Sequence, residues 1–461
     1  MKLRAKHWVI FAVLGLLLAA CGGDGGDGGA DTTAEPDGGS DTTSAPDTTA
    51  APDTTEAPME EVTLTLLTDD NQQNSDYADA LIAAYMEAHP NVTIEHELRP
   101  GGGEGDNIVK TRLATGEMTD IFLYNVGALF QAINPAETLV PITDEAFTGD
   151  IAESFLQTVA AGDDVFGVPV GTALGGGILY NKAIYEDLGL SVPTSWDEFA
   201  ANNDAILAAG IAPVLQTYGD TWTSQLLILA DYYNIQAVDP TWAEEYTAGN
   251  AKYVDDPAIK GFDRLQQGFD SGWYQEDFEA TLFADGLALL ATGEVAHYPM
   301  LTFAVGELAA SFPDEVQNIG FFGQPGDDPA LNGATIWMPQ AFYVAATSEH
   351  PDVAMDFLAF VASLEGVDVM TEAVAPQGPY LISGASLPAD TLPAVLDVQA
   401  YIDAGTTAPA LEFLSPIKGP NLEFLTVEVG SGLSDAATAA ANYDEDVKAQ
   451  AQQLGLPGWD D

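Results

Sequence analysis

The chain is 461 residues long and carries 71 acidic against 12 basic side chains, a formal charge of −59. A surface of that sign excludes nucleic acid and anionic lipid as partners, since both bind through basic patches, and it disfavours strongly anionic solutes. Hydrophobic residues make up 47% of the chain, enough for a substantial core, and the single cysteine, Cys21, excludes a disulfide within it. The acidity reads as solubility outside the cell, in salty water where screening relieves self-repulsion. Attraction for cations is the alternative, and the charge by itself names no ligand.

Lys2, Arg4 and Lys6 precede an uncharged apolar run from Trp8 to Ala20. This is the charged-then-apolar order of a secretory signal, in a run too short to span a bilayer comfortably. It closes with Leu18-Ala19-Ala20-Cys21, which resembles the bacterial lipobox, where small residues fit the signal peptidase and the cysteine receives a diacylglycerol. Residues 1–20 are therefore read as a lipoprotein signal and Cys21 as the lipidation site; an ordinary cleaved signal with an incidental cysteine is the alternative. Residues 21–61 are built from Gly, Asp, Thr, Ala and Pro, with the near-repeats Asp41-Thr42-Thr43-Ser44-Ala45-Pro46 and Asp47-Thr48-Thr49-Ala50-Ala51-Pro52. A segment with no aromatic residue and with mutually repelling carboxylates cannot offset its ordering entropy, so a disordered acidic tether of about 35 Å reach is expected.

From Val62 to Leu67 an apolar, β-branched run ends at Thr68-Asp69-Asp70-Asn71, and Tyr77, Leu81, Ile82 and Tyr85 follow at helical spacing up to His89-Pro90. Asn91 to Leu98 alternates as a second strand, Gly101 to Gly105 breaks it, Ile108 to Thr115 resumes a helix, and Asp120 to Tyr124 supplies a third strand. The order β-α-β-α-β predicts a parallel sheet, whose ligands sit at the carboxyl ends of its strands. That places Thr68 to Gln73 and Tyr124 to Gly127 on a candidate binding rim, with Asp70, Asn71, Gln72, Tyr124 and Asn125 as its polar candidates.

Further on run Val165-Phe166-Gly167-Val168-Pro169, then Gly175-Gly176-Gly177-Ile178-Leu179-Tyr180-Asn181-Lys182, then Pro193-Thr194-Ser195-Trp196-Asp197-Glu198-Phe199. Thr194 or Ser195 suits a helix start. With Ala114-Thr115-Gly116-Glu117-Met118-Thr119-Asp120-Ile121-Phe122 before them and His350-Pro351-Asp352-Val353-Ala354-Met355-Asp356-Phe357-Leu358 after, these segments resemble family 1 of the bacterial extracellular solute-binding proteins, the maltose-binding-protein-like receptors of ABC importers. The chain departs from the pattern at Thr119, where proline is usual, and at Gly293-Glu294-Val295-Ala296-His297-Tyr298-Pro299-Met300, where the family's Gly-Lys-Ala-Ala-Met block is eroded.

The resemblance implies an α/β, two-lobed periplasmic-binding-protein-like fold of type II, with a hinge and a central cleft. Its expected parts are a first lobe of residues 62–171 and 340–390, a second lobe of 172–339, and a C-terminal helical segment, 391–461, bridging the two. It also implies a monomeric, membrane-anchored receptor that closes on a solute and hands it to permease subunits, without cofactor or catalysis. A neutral sugar needs aromatic faces for its C–H surfaces and amides or carboxylates for its hydroxyls. Trp222, Trp273 and Trp337 are the aromatic candidates, each with a place in a lobe core as the alternative. Gly175 and Gly176 would let backbone approach the ligand, and Asn421 falls where the family's late helical segment often adds a contact. A polyamine receptor of the same fold and a surface glycoside hydrolase are the competing readings. His7, His89, His96, His297 and His350 form no metal-ligand spacing.

Overall fold

The computed structural model describes residues 61–459. The leader, Cys21 and the tether as far as residue 60 lie outside them. Strand Val62–Asp69 is the centre of a parallel trio, with Val92–Arg99 on one side and Ile121–Tyr124 on the other. Leu64, Leu66 and Leu67 are wholly buried, as expected of a parallel strand covered on both faces. The helix Gln72–Ala88 that follows starts where the Asn71 side chain accepts the N–H groups of Gln73 and Asn74, and it ends at His89 ahead of Pro90. Its buried side chains are the sequence-predicted Tyr77, Leu81, Ile82 and Tyr85, joined by Ala78.

The glycine run behaves differently from its expected role as a break. The second helix begins inside it, spanning Gly102–Thr115, because the Asp70 carboxylate holds the Gly101 N–H at 3.0 Å and fixes the chain at the helix entrance. A Cβ at Gly105 would collide with the Pro100 carbonyl and the Arg99 guanidinium, so the glycine serves close packing within the helix.

Two antiparallel partners complete this five-stranded sheet. Ala341–Val344 pairs with Ile121–Tyr124, and Val168–Pro169 pairs with Ala341–Val344. The second sheet has six strands, centred on Leu174–Asn181. One edge of that strand pairs with Val295–Leu301, and the other is shared by Ala334–Trp337 and Ile319–Gly323. The chain therefore passes from the first sheet to the second between Pro169 and Leu174 and returns between Trp337 and Ala341. A third strand of chain accompanies them: the Val170 N–H donates to the Gln340 carbonyl at 2.9 Å and the Ala173 N–H to the Pro379 carbonyl at 2.8 Å. The molecule is thus two-lobed, with the crossings as its hinge.

Of the two candidate caps for helix Trp196–Ala208, Ser195 does the work, its Oγ accepting the Glu198 N–H. The C-terminal segment packs chiefly on the second lobe. Helix Pro393–Asp403 lies on Ile319–Gly323, Thr407–Pro409 pairs with Ala334–Trp337, and helices Leu422–Gly430 and Ala436–Gln453 pack on Ile259–Asp270. It meets the first lobe at Gly127, which sits against the Glu412–Phe413 backbone.

Candidate functional site

A cavity of about 520 Å³ opens beside the crossing strands and takes its walls from both lobes. The first lobe contributes Asn71, Gln73, Asn74 and Tyr77 from the start of helix Gln72–Ala88, together with Gln377 from the turn after helix Leu364–Ala373. The second contributes Phe303, Gly306, Glu307 and Ala310 from helix Phe303–Ser311, and the hinge itself adds Gly171, Thr172, Leu174, Pro339 and Gln340.

The polar wall is held by a short network. Asp69, buried at the end of its strand, accepts the Asn71 N–H at 3.2 Å and the Asn74 Nδ2 at 2.9 Å, while the same Asn74 amide donates to Gln340 Oε1 at 2.7 Å. A loop of the first lobe is thereby tied to a hinge strand. Gln73 Nε2 lies 3.4 Å from the hydroxyl of Tyr77, and burial raises that hydroxyl's pKa. Gly171 has φ +85°, and a Cβ there would sit 2.9 Å from the Tyr77 ring, so only glycine lets the hinge strand lie on that aromatic face.

The second-lobe wall carries one aromatic side chain, Phe303, backed by two more. Phe303 stands 5.7 Å from Phe283 and 6.1 Å from Trp222, and Trp222 stands 5.5 Å from Phe283. The loop carrying Trp222 is pinned by Asp220, whose carboxylate accepts the Phe283 N–H at 2.7 Å.

Of the sequence-predicted residues, Asn71 and Gln73 line the cavity and Trp222 backs Phe303, which also lines it. Asp70 is spent on the Gly101 N–H, and Gln72 turns outward to donate to Asp76 at 2.7 Å. Tyr124 is fully buried beneath the Arg99 guanidinium, 5.9 Å over its ring, and Asn125 offers its carbonyl to the Tyr343 hydroxyl. Trp273 does not join the site: it is packed in the second-lobe core with Trp196 and Phe199, its Nε1 donating to Asp204 at 3.2 Å. Trp337 lies on the sheet beside the hinge with Nε1 bound to Glu412 at 2.9 Å. Gly175 and Gly176 serve packing instead of ligand approach, because Val398 and Phe321 fill the space beside the first and the Trp337 ring that beside the second. Asn421 is engaged by Asp446 through both its N–H and its side chain and lines a separate depression with Phe424 and Glu428.

Sequence reasoning missed Asn74, Phe303, Glu307, Gln340 and Gln377, and read Tyr77 as core alone. The one local signal was the pair of turns at Met338-Pro339-Gln340 and Pro376-Gln377-Gly378-Pro379, where proline and glycine mark chain that must change direction.

Two α/β lobes hinged around a cavity whose amide-rich wall faces Phe303 define a protein that holds a solute between its lobes. The chain belongs to the bacterial extracellular solute-binding protein family, whose model matches residues 69–368. A curated relative, the multiple sugar-binding protein of Streptococcus mutans, is 24% identical over 315 residues, covering 66% of this chain and 70% of its own. Among solved structures, the apo form of RafE from Streptococcus pneumoniae superposes with a TM-score of 0.71 at 20% identity, covering 86% of this chain and 100% of that one. A chitin oligosaccharide binding protein does so with a TM-score of 0.66 at 19% identity, over 85% and 99%.

Proposed function

We propose that this protein is the carbohydrate receptor of an ABC importer, anchored to the outer face of the cell membrane through a lipid on Cys21 and acting as a monomer. It closes its lobes on a sugar or oligosaccharide and presents the closed form to the permease subunits, making and breaking no bond. The observation that carries the reading is the pairing, across one cavity, of the Asn71, Gln73, Gln340 and Gln377 amides with the Phe303 ring. Planar amides match adjacent hydroxyls, and aromatic faces match the C–H surfaces of a pyranose. The sugar specificity named for the Streptococcus mutans relative supports the same class. Closure on a ligand is a shift between open and closed populations, and the affinity difference between the two forms drives it.

A thermal-shift screen of the purified protein against oligosaccharides, polyamines and amino acids tests the reading. A sugar at a hundred times its dissociation constant should stabilise the fold by about 2.7 kcal/mol, a rise of a few degrees. If polyamines alone raise the midpoint, the carbohydrate assignment fails; hydrolysis of a chromogenic glycoside would replace the receptor by an enzyme.

A further inference from the structure

The geometry points to Glu307 as the residue that sets the charge selectivity of the hinge cavity: we propose that it confines the solute to saccharides without acidic groups. The inference rests on the carbohydrate reading above. Glu307 is the one charged side chain among the described residues lining the cavity. It stands on the second turn of helix Phe303–Ser311, exposed, with no hydrogen bond or ion pair to any described residue. The remaining polar lining is neutral, from Asn71, Gln73, Asn74, Thr172, Gln340 and Gln377.

Among the described residues no lysine, arginine or histidine lines the cavity, and several basic groups are paired elsewhere. Arg112 pairs with Glu97 at 2.8 Å, Arg264 with Asp231 and Asp327, and Lys418 with Glu412 at 3.3 Å. A bound uronate or sugar phosphate would therefore meet one carboxylate and no countercharge.

The physics separates the two classes of ligand. A neutral hydroxyl can donate to Glu307 in a charge-assisted hydrogen bond, which is stronger than a neutral one. An anion about 4 Å away instead loses affinity by a few-fold in open water and by roughly a thousandfold once closure lowers the effective dielectric to about 20. The chain's overall charge of −59 pushes in the same direction, but that field is screened by salt, whereas a carboxylate inside the closed cleft is screened much less. High salt therefore isolates the contribution of Glu307.

The experiment is isothermal titration of the full chain and of Glu307→Gln, at low and high salt. The probes are raffinose, xylo-oligosaccharides and chito-oligosaccharides, each beside a uronate-bearing counterpart. The wild type should bind a neutral member at least about a hundredfold more tightly than its uronate counterpart, and most of that ratio should survive high salt. Glu307→Gln should collapse the ratio while keeping its melting midpoint, because the side chain is exposed and without partners. Equal binding of the neutral and uronate forms by the wild type would overturn the inference and leave the carbohydrate reading standing. So would an undiminished ratio in Glu307→Gln at high salt. Binding of no saccharide at all would remove that reading and the inference with it.

Discussion

His297 shows what a single buried titratable group does in this fold. It sits on strand Val295–Leu301, wholly buried, with Nε2 2.8 Å from the Tyr185 hydroxyl and its ring 4.9 Å from that of Phe199. Desolvation pulls its pKa down to about 3, against 6.5 in the unfolded chain. Above pH 6.5 the imidazole is neutral in both states and pH has no leverage through it. Below that the unfolded chain takes up a proton that the folded one refuses, so stability falls by about 1.4 kcal/mol per unit as the pH drops toward 3. Urea unfolding of the wild type and of His297→Gln at pH 7 and pH 5 checks this. The wild type should lose about 2 kcal/mol more than the variant over that interval. Equal losses would mean that the imidazole is protonated inside the fold. Carboxylates titrating in the same window cancel in the comparison, which matters in a chain with 71 of them.

At the level of elements, the hinge depends on one backbone conformation. Gly171 holds φ +85° with Tyr77 pressed against it. Gly171→Ala must adopt a left-handed conformation and displace a ring that is buried against the first lobe, and it should destabilise by about 1–3 kcal/mol. The denaturant midpoint should fall accordingly, and a change within about 0.5 kcal/mol would show that the hinge can relax. The regular elements around this strand were legible in the sequence because their signals are local. The apolar, β-branched run Val62–Leu67, helical spacing from Tyr77 to Tyr85, and the cap at Ser195 each involve neighbours within a few residues. The site was only partly legible because its parts are far apart in the chain. Asn74 and Gln340 are hydrogen-bonded across 266 residues, and nothing near either announces the other. The tryptophans were ambiguous for a related reason. An indole suits a sugar face and a lobe core equally well, and what buries Trp273 is its packing on Trp196 and Phe199, whose register follows from the whole second lobe. The glycines were ambiguous in the same way: the room beside Gly176 is taken by Trp337, a partner 161 positions along the chain.

Across the whole molecule, the lobes meet beside the hinge at two places where a side chain is missing. On one flank Gly127 of the first lobe, at φ 67° and ψ −131°, receives the backbone of Phe413, whose Cα would lie 2.6 Å from an added Cβ. On the other, Gly306 of the second lobe receives the Gln377 amide of the first, with Nε2 2.7 Å from where a Cβ would stand. A receptor that works by closing needs such fits, since a bulge at either place holds the lobes apart and raises the free energy of the closed form relative to the open one. Gly306 allows this to be tested apart from fold stability, because it lies within a helix, where leucine is favoured over glycine by about 1 kcal/mol. Gly306→Leu should keep or raise the melting midpoint, enlarge the radius of gyration measured by solution scattering, and weaken sugar binding at least about tenfold. Gln377→Gly in the same background removes the opposing amide and should bring scattering and affinity back toward the wild type. Weaker binding with unchanged scattering, unrelieved by the second substitution, would mean that the leucine merely fills the cavity and that the approach of the lobes is limited elsewhere.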